Sequence, residues 1–284
     1  MDDQRIDEGL HQIHEAVIKY VLEFLTTGEF KNKTANAYMI AYSQVHRLAD
    51  DEYDSSKKLF DYYLSTIKSY MLDSLRTMKN EKGERLVDMF LRENGQCKIL
   101  IHWMRKVFTY LDKFYTKNSN IGSLCANAMR LYYESFFLPL KIPLFQAVNG
   151  LIESQRNCMP IDTYKIKSLL TIFEEIDMKN PELCKQGDNI YWVGESTLGV
   201  LNEWFKQNFI TVTDVYICNK AKNEISTLSA PEYVRSSLKY LEEEQRRKEE
   251  YIHRNYHDAL DKINFKYLME ENAKNLAKVI IKYK

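Results

Sequence analysis

Apolar positions recur every three or four residues along most of this chain, the spacing of helices that bury one face. Ile6, Leu10, Ile13, Val17, Val21 and Phe24 predict a first helix over about 6–24. Gly28 and the polar stretch 31–34 end it, and Thr34 can cap the next. A second helix is predicted over 35–49 and a third over 55–78, the latter with a broad apolar face of Leu59, Tyr62, Tyr63, Ile67, Tyr70, Met71 and Leu75. Helical segments over 86–93, 99–115 and 121–137 follow. Pro139 and Pro143 then punctuate the chain and mark a boundary.

A new series covers 144–156, 162–176, 198–211 and 212–218. A charged helix begins at Pro231, a residue suited to a first helical turn, with Val234, Leu238 and Leu241 as its apolar positions. The last amphipathic segment, 259–283, runs to the final residues without a cap, so the chain is expected to stop inside an element. No proline occurs before Pro139 and glycine is scarce, which favours continuous helices over a sheet with its turns. The two series are of similar length and suggest stacked helical repeats.

Composition narrows the function classes. With 284 residues and 45% hydrophobic content, the chain can build one large or two ordinary cores. Lys plus Arg number 40 and Asp plus Glu number 40, so no net field draws it to nucleic acid or an anionic membrane. Charged or polar residues break every apolar run before the roughly 20 residues a bilayer requires, and no signal segment opens the chain. The expectation is a soluble protein, cytoplasmic or nuclear, that finds partners by shape and apolar contact. The five cysteines, Cys97, Cys125, Cys158, Cys184 and Cys218, are widely spaced and form no C-x-x-C pair, and they read as small buried hydrophobes in a reducing compartment.

Candidate chemistry is thin. Glu8 with His11 and Glu250 with His253 have the i, i+3 spacing of carboxylate-bridged metal bundles, but such a site needs further inward glutamates, and Glu250 lies in a charge-saturated stretch. His253 and His257 have zinc-helix spacing, yet Arg254 stands where a general-base glutamate belongs. There is no Gly-rich phosphate loop and no G-x-S-x-G. The reading is a non-catalytic protein without metal or cofactor, a metal-dependent bundle enzyme being one rival.

The second helix carries more apolar surface than a single core contact needs. At about 100° per residue, Leu48, Ala41, Val45, Tyr38, Tyr42, His46 and Met39 follow one another around an arc of roughly 180°, wider than the stripe of about 100° that faces one core. Either the arc is wedged between two neighbouring helices, or Tyr38, Met39, Tyr42 and His46 form a binding face of residue types enriched at interfaces.

Five stretches, in order, resemble the N-terminal region of the cullins. Ala37–Val45 is similar to the second-helix R-Y-M-x-x-Y-x-x-V motif of the cullins that bind Skp-type adaptors, and Phe108–Tyr115 to a recurrent Y-L-[DN]-[RK]-x-[YW] element. Phe137–Leu140 with Ala147–Asn157, followed by Ile161 and Asp162, resembles the F-x-P-L and L-I-x-x-x-R-N passage. Phe209–Tyr216 resembles F-L-x-x-T-x-x-[FY]. Glu232–His253 resembles the helix closing the second repeat, an E-Y-x(7)-L-x-E-E-x-R-R core followed by x(3)-Y-[LI]-H.

The resemblance implies an all-α, elongated stack of cullin repeats: a first, adaptor-binding repeat at 1–143, a second at 144–258 and the start of a third at 259–284. It implies the scaffold arm of a cullin-RING ubiquitin ligase, with a Skp-type adaptor and its F-box protein bound through Tyr38, Met39, Tyr42, Val45, His46, Ile121, Leu124 and Cys125. Family members bind a RING-box protein through a C-terminal part that nothing here resembles, so the chain is expected to be the N-terminal part of a longer scaffold. Gly122 and Cys125 stand where Skp-binding relatives carry tyrosines, and Ala41 replaces a larger aliphatic residue. Those departures leave a BTB-type or elongin-type adaptor open, as well as a helical tethering or complex-assembly protein without a ubiquitin role.

Overall fold

The computed structural model describes residues 2–29, 35–51, 53–196 and 199–273. Its chain gathers into two compact units, 1–147 with 178–197 and 148–177 with 198–284. Both are dominated by helix, and the architecture is all-α.

In the first unit, α1 (Asp2–Ile13), a π turn (His14–Ile18) and α2 (Lys19–Thr27) follow without a gap. They stop at Gly28, whose left-handed φ of 72° places its N–H on the Phe24 carbonyl at 2.8 Å, a conformation that a Cβ would penalise. Next come α3 (Ala35–Asp51), α4 (Tyr53–Met78) and α5 (Gly83–Val107). α1 lies so close to α3 that a Cβ on Gly9 would sit 2.5 Å from Leu48 Cδ1. Short helices α6 (Thr109–Lys113) and α7 (Tyr115–Asn118) lead to α8 (Leu124–Tyr132), capped by the Ser123 hydroxyl, which accepts from the Ala126 N–H. The core is aliphatic and aromatic: Phe90 stacks on Phe136 at 5.5 Å and meets Phe137 edge-on, and Tyr63 meets Phe108 at 5.8 Å.

Three expectations change here. The segments 86–93 and 99–115 are not separate helices, because α5 runs unbroken through Gly95. Tertiary contacts outweigh the weak local propensity: Asn94 Oδ1 accepts from the Tyr132 hydroxyl at 2.9 Å, Gln96 donates to the Leu25 carbonyl at 2.8 Å, and Cys97 is buried. The real break falls at Phe108.

Secondly, the prolines do not interrupt the helical path. A π turn (Tyr133–Phe137) and a 3-10 turn (Leu138–Leu140) carry it into α9 (Lys141–Arg156). Leu138 N–H reaches back to the Tyr133 carbonyl, and Pro139 sits in the first 3-10 turn, where a missing donor costs little. By length and composition, 124–156 is also the one helical stretch among the described residues apolar enough to cross a bilayer, although Glu134 and Lys141 interrupt it. Half of its most apolar window is already buried by the fold, Phe136 and Phe137 among the core residues.

Thirdly, an unpredicted hairpin forms. β1 (Lys179–Gln186) and β2 (Asn189–Glu195) pair antiparallel with Leu183 opposite Trp192 and an irregularity between Lys179 and Glu182. Gly187 turns it at φ 60°. The hairpin belongs to the first unit and packs on α5 and α8, with Leu183 and Trp192 buried.

The second unit is built from the end of α9, α10 (Thr163–Ile176), α11 (Val200–Thr227), α12 (Ala230–Glu250) and α13 (His257–Phe265). α10 is capped by Asp162, whose side chain accepts from Tyr164 N–H. α11 unites the predicted 198–211 and 212–218 segments: Thr211 folds its hydroxyl onto the Gln207 carbonyl and Thr213 turns inward to Arg156, so neither breaks the helix. α12 opens with a Ser229–Glu232 capping box and Pro231 in its first turn.

The faces of α12 differ from those its apolar residues suggest. Leu241 packs partly buried against the core, but Val234 and Leu238 are exposed, whereas Tyr233, Ser237, Tyr240, Glu244, Arg247 and Lys248 are buried. Glu244 makes that possible by accepting from Arg156 Nε at 2.9 Å, Arg247 Nη1 at 2.9 Å and the Tyr240 hydroxyl at 3.0 Å. Of the final predicted segment, α13 and a π turn (Lys266–Glu270) are described, and its residues beyond 273 lie outside the described residues. The cysteines also divide: Cys97 and Cys125 are buried, Cys184 and Cys218 are partly so, and Cys158 is exposed at a left-handed φ of 62°.

Candidate partner-docking site

The α3 arc resolves into three parts. Leu48, Ala41 and Val45 face the core of the first unit, with Val45 fully buried. Tyr38, Tyr42 and His46 lean towards the end of α5 and α6: the Tyr38 hydroxyl donates to the Lys106 carbonyl at 3.1 Å, Tyr38 stacks on Tyr42 at 6.3 Å, and His46 meets Tyr110 at 4.4 Å. Tyr110 in turn meets Phe114 at 4.5 Å. Met39 projects outward, 53% exposed. Burial, reinforced by the neighbouring Tyr42, pushes the Tyr38 phenol up and keeps it a neutral hydrogen-bond donor.

Part of the apolar surplus on α3 is therefore ordinary packing within the unit, and part is free surface. Of the expected contact residues, Tyr38, Met39, Tyr42 and His46 lie together on α3, and Ile121 is 36% exposed before α8. Val45, Leu124 and Cys125 are corrections. All three are fully buried, Val45 by the core side of α3 and Leu124 and Cys125 because α8 begins beneath other parts of the unit, so none can touch a partner on this surface. Leu124 is fixed there by its N–H, which donates to Asp112 Oδ1 at 2.7 Å, and Cys125 faces the backbone at Leu183 of the hairpin.

Sequence reasoning missed Ile40 and Phe114, exposed at 52% and 49%. Ile40 lies off the apolar arc by helical rotation, and Phe114 follows the break at Phe108 that the pattern did not place; the Tyr-Leu-Asp-Lys-Phe-Tyr run was the available signal. Lys106, Lys113 and Lys117 are exposed around these rings, whereas Asp112 is turned inward to α8 and Thr116. Nearby His102 is buried, and burial followed by the charges of Lys106, Lys185 and Arg105 pushes its imidazole down to about 4, so it stays neutral.

The spacings read for metal are engaged otherwise. His253 Nδ1 accepts from the Asn255 N–H, His257 Nε2 lies 2.9 Å from the Ile252 carbonyl, and Glu250 accepts from the Thr163 hydroxyl. Among the described residues no three His, Cys, Asp or Glu side chains converge as metal ligands.

The sequence profile of the cullin alpha solenoid domain matches residues 4–282. The chain belongs to the cullin family. Among curated cullins it is 24% identical over 213 residues to Cullin-1 of Dictyostelium discoideum, an alignment covering 73% of this chain and 26% of that protein. It is 22% identical over 252 residues to Putative cullin-like protein 1 of Arabidopsis thaliana, covering 87% of this chain and 32% of the relative. The match to Cullin-like protein 3 of the same plant, 21% over 217 residues, covers 76% of this chain and 77% of the relative. The chain thus spans about a quarter to a third of the first two relatives' length. The helical repeat fold expected of a cullin alpha solenoid is the fold observed.

Proposed function

We propose that this cullin chain is a non-catalytic scaffold arm of a cullin-RING ubiquitin ligase and that the outer face of α3 docks a Skp-type adaptor carrying an F-box protein. Its contribution is positional: holding adaptor-bound substrate on packed helices raises the effective concentration of substrate at the ligase's charged enzyme. The observation that carries the reading is the exposed Met39 beside the Tyr38–Tyr42 stack, on the helix whose Ala37–Val45 run resembles the adaptor helix. A long flexible thioether flanked by half-buried tyrosines is the composition of an interface anchor with its surround.

Titration calorimetry with a purified Skp-type adaptor tests it. Replacing an anchor typically costs on the order of 2 kcal/mol, so Met39→Asp is expected to weaken binding by at least about thirtyfold. Its thermal midpoint should stay in place because Met39 is exposed at the surface. Binding unaffected by Met39→Asp would move the adaptor off α3, and binding only to a BTB-type or elongin-type adaptor would change the adaptor class while keeping the scaffold role.

A further inference from the structure

The hairpin occupies ground that the sequence assigned to α8. Its inner residues Leu183 and Trp192 are buried against the unit, 4% exposed each, and Arg105 ties it down by pairing with Glu182 at 2.5 Å and donating to the Leu183 carbonyl at 3.3 Å. Arg105 and Lys106 are consecutive on the last turn of α5. One grips the hairpin while the other offers its carbonyl to Tyr38 of α3. Hairpin and α3 therefore contact neighbouring residues of the same helical turn.

The free charge on that surface is mostly positive. Lys106 and Lys185 are exposed, one on α5 and one on β1, and neither joins an ion pair among the described residues. Both act on the buried ring of His102, whose Nε2 has no hydrogen-bond partner, so the two ammonium groups lie within electrostatic reach of one site. Three of the nearby carboxylates are engaged, Glu182 with Arg105, Asp112 with the Leu124 N–H and Arg105, and Glu195 with Asn180 at the far end of the hairpin, and Asp188 at the hairpin turn is the exposed exception. Lys106 Nζ lies 5.1 Å over the Trp103 ring, a contact that holds the cation in place without neutralising it.

We propose that the hairpin, in place of α8, supplies the second side of the α3 docking surface, and that Lys106 and Lys185 make this surface select a partner segment rich in carboxylates. The proposal takes the docking role of α3 from the reading above and adds the partner's chemistry. Uncompensated cations at the edge of an apolar contact speed encounter with an acidic partner and disfavour a basic one.

The test uses the full chain and two probes. In fluorescence anisotropy, a short labelled peptide of alternating Glu and Leu is titrated into the wild type, into Lys106→Glu with Lys185→Glu, and into Lys239→Glu, an exposed control on α12. The acidic peptide is expected to bind the wild type and the control alike, more weakly as salt rises, and the double reversal is expected to lose at least about tenfold in affinity. Equal binding to wild type and double reversal, or no binding to either, overturns the proposal. Lys106→Gln with Lys185→Gln repeats the measurement without introducing new charge, and the same loss is expected in smaller degree. The second probe is the purified Skp-type adaptor. If Met39→Asp abolishes its binding and the double reversal does not change it, the acidic-partner proposal falls and the adaptor reading stands. If the adaptor binds neither protein while the acidic peptide binds in a lysine-dependent way, the adaptor reading falls and the charge selection stands.

Discussion

The core of the first unit is made of rings and aliphatic side chains, whereas the second unit adds a buried ion cluster to an apolar core that includes Phe173, Phe205, Phe209 and Leu268. Phe90, Phe136, Phe137, Tyr63 and Phe108 interlock in the one, and the buried carboxylate of Glu93 accepts from Ser74 and Tyr70. In the other, Arg156, Glu244 and Arg247 are almost wholly enclosed, with Tyr240, Tyr251, Gln155 and Thr213 as hydrogen-bond partners around them and the Tyr216 ring 5.0 Å from Arg156. An apolar core tolerates the loss of one contact in proportion to the area lost. A buried ion cluster tolerates almost no loss, because removing one member leaves the others charged and unsolvated.

Glu244→Ala should therefore produce the largest effect of any single change considered, about 3–5 kcal/mol of destabilisation, since it strands two buried guanidinium groups. Urea denaturation followed by circular dichroism measures it. A cost below about 1 kcal/mol would mean that water reaches Arg156 and Arg247 and that the contrast between the units is smaller than their burial implies. Burial alone would raise the Glu244 carboxyl, but the charges and hydrogen bonds of Arg156 and Arg247 outweigh it and hold the group ionised below its ordinary value.

The first unit has its own titration, smaller and of different origin. His102 is held neutral down to about 4, well below the ordinary 6.5. Below pH 6.5 the unfolded chain therefore takes up a proton that the folded chain refuses. The contribution of the neutral ring to stability is complete above 6.5 and is lost progressively as pH falls towards about 4. In denaturation series across that window, His102→Gln should lose less stability than the wild type as pH falls, and the difference between the two curves should be constant above pH 7. Parallel curves would mean that the ring is solvated in the folded state.

What the sequence made legible follows the same division. Helices of the first unit were readable because Ile6, Ile13, Val17 and Val21, or Leu59, Tyr63, Ile67 and Met71, bury the apolar stripe that the period points to. The α3 helix was half legible: the period detected that α3 has more apolar surface than one core uses, but not that Tyr38 and His46 spend part of it on Lys106 and Tyr110. The hairpin was missed because its two strands interrupt a long helical pattern and bury only a few side chains. Its signal was the Gly187-Asp188 turn followed by Ile190, Tyr191, Trp192 and Val193, a β-favouring run. The burial of Leu124 and Cys125 was illegible without it, since the residues near Cys125 come from the distant 183 region of the chain. The charged core of α12 was illegible for another reason: periodicity counts apolar residues, and here the inward residues are Glu, Arg, Ser and Tyr whose partners lie on α9 and α11.

The smallest expected effect is the most direct test of that last point. By pattern, Val234, Leu238 and Leu241 are the apolar positions of α12; Leu241 does pack partly buried against the core, but if Val234 and Leu238 did so too, replacing both with serine would remove two core side chains, at about 2–5 kcal/mol for each large aliphatic truncation. By structure, they are 39% and 50% exposed, while the buried side of the same helix is made by Tyr233, Tyr240, Glu244 and Arg247. Val234→Ser with Leu238→Ser should then stay within about 0.5 kcal/mol per site of the wild type, the range of surface substitutions, with a further few tenths from the lower helix propensity of serine. Thermal denaturation of the double variant beside Glu244→Ala decides it. A double variant as damaged as Glu244→Ala would return the apolar residues to the core and turn the charged face of α12 outward, and near-neutrality would leave the helix anchored by its ions.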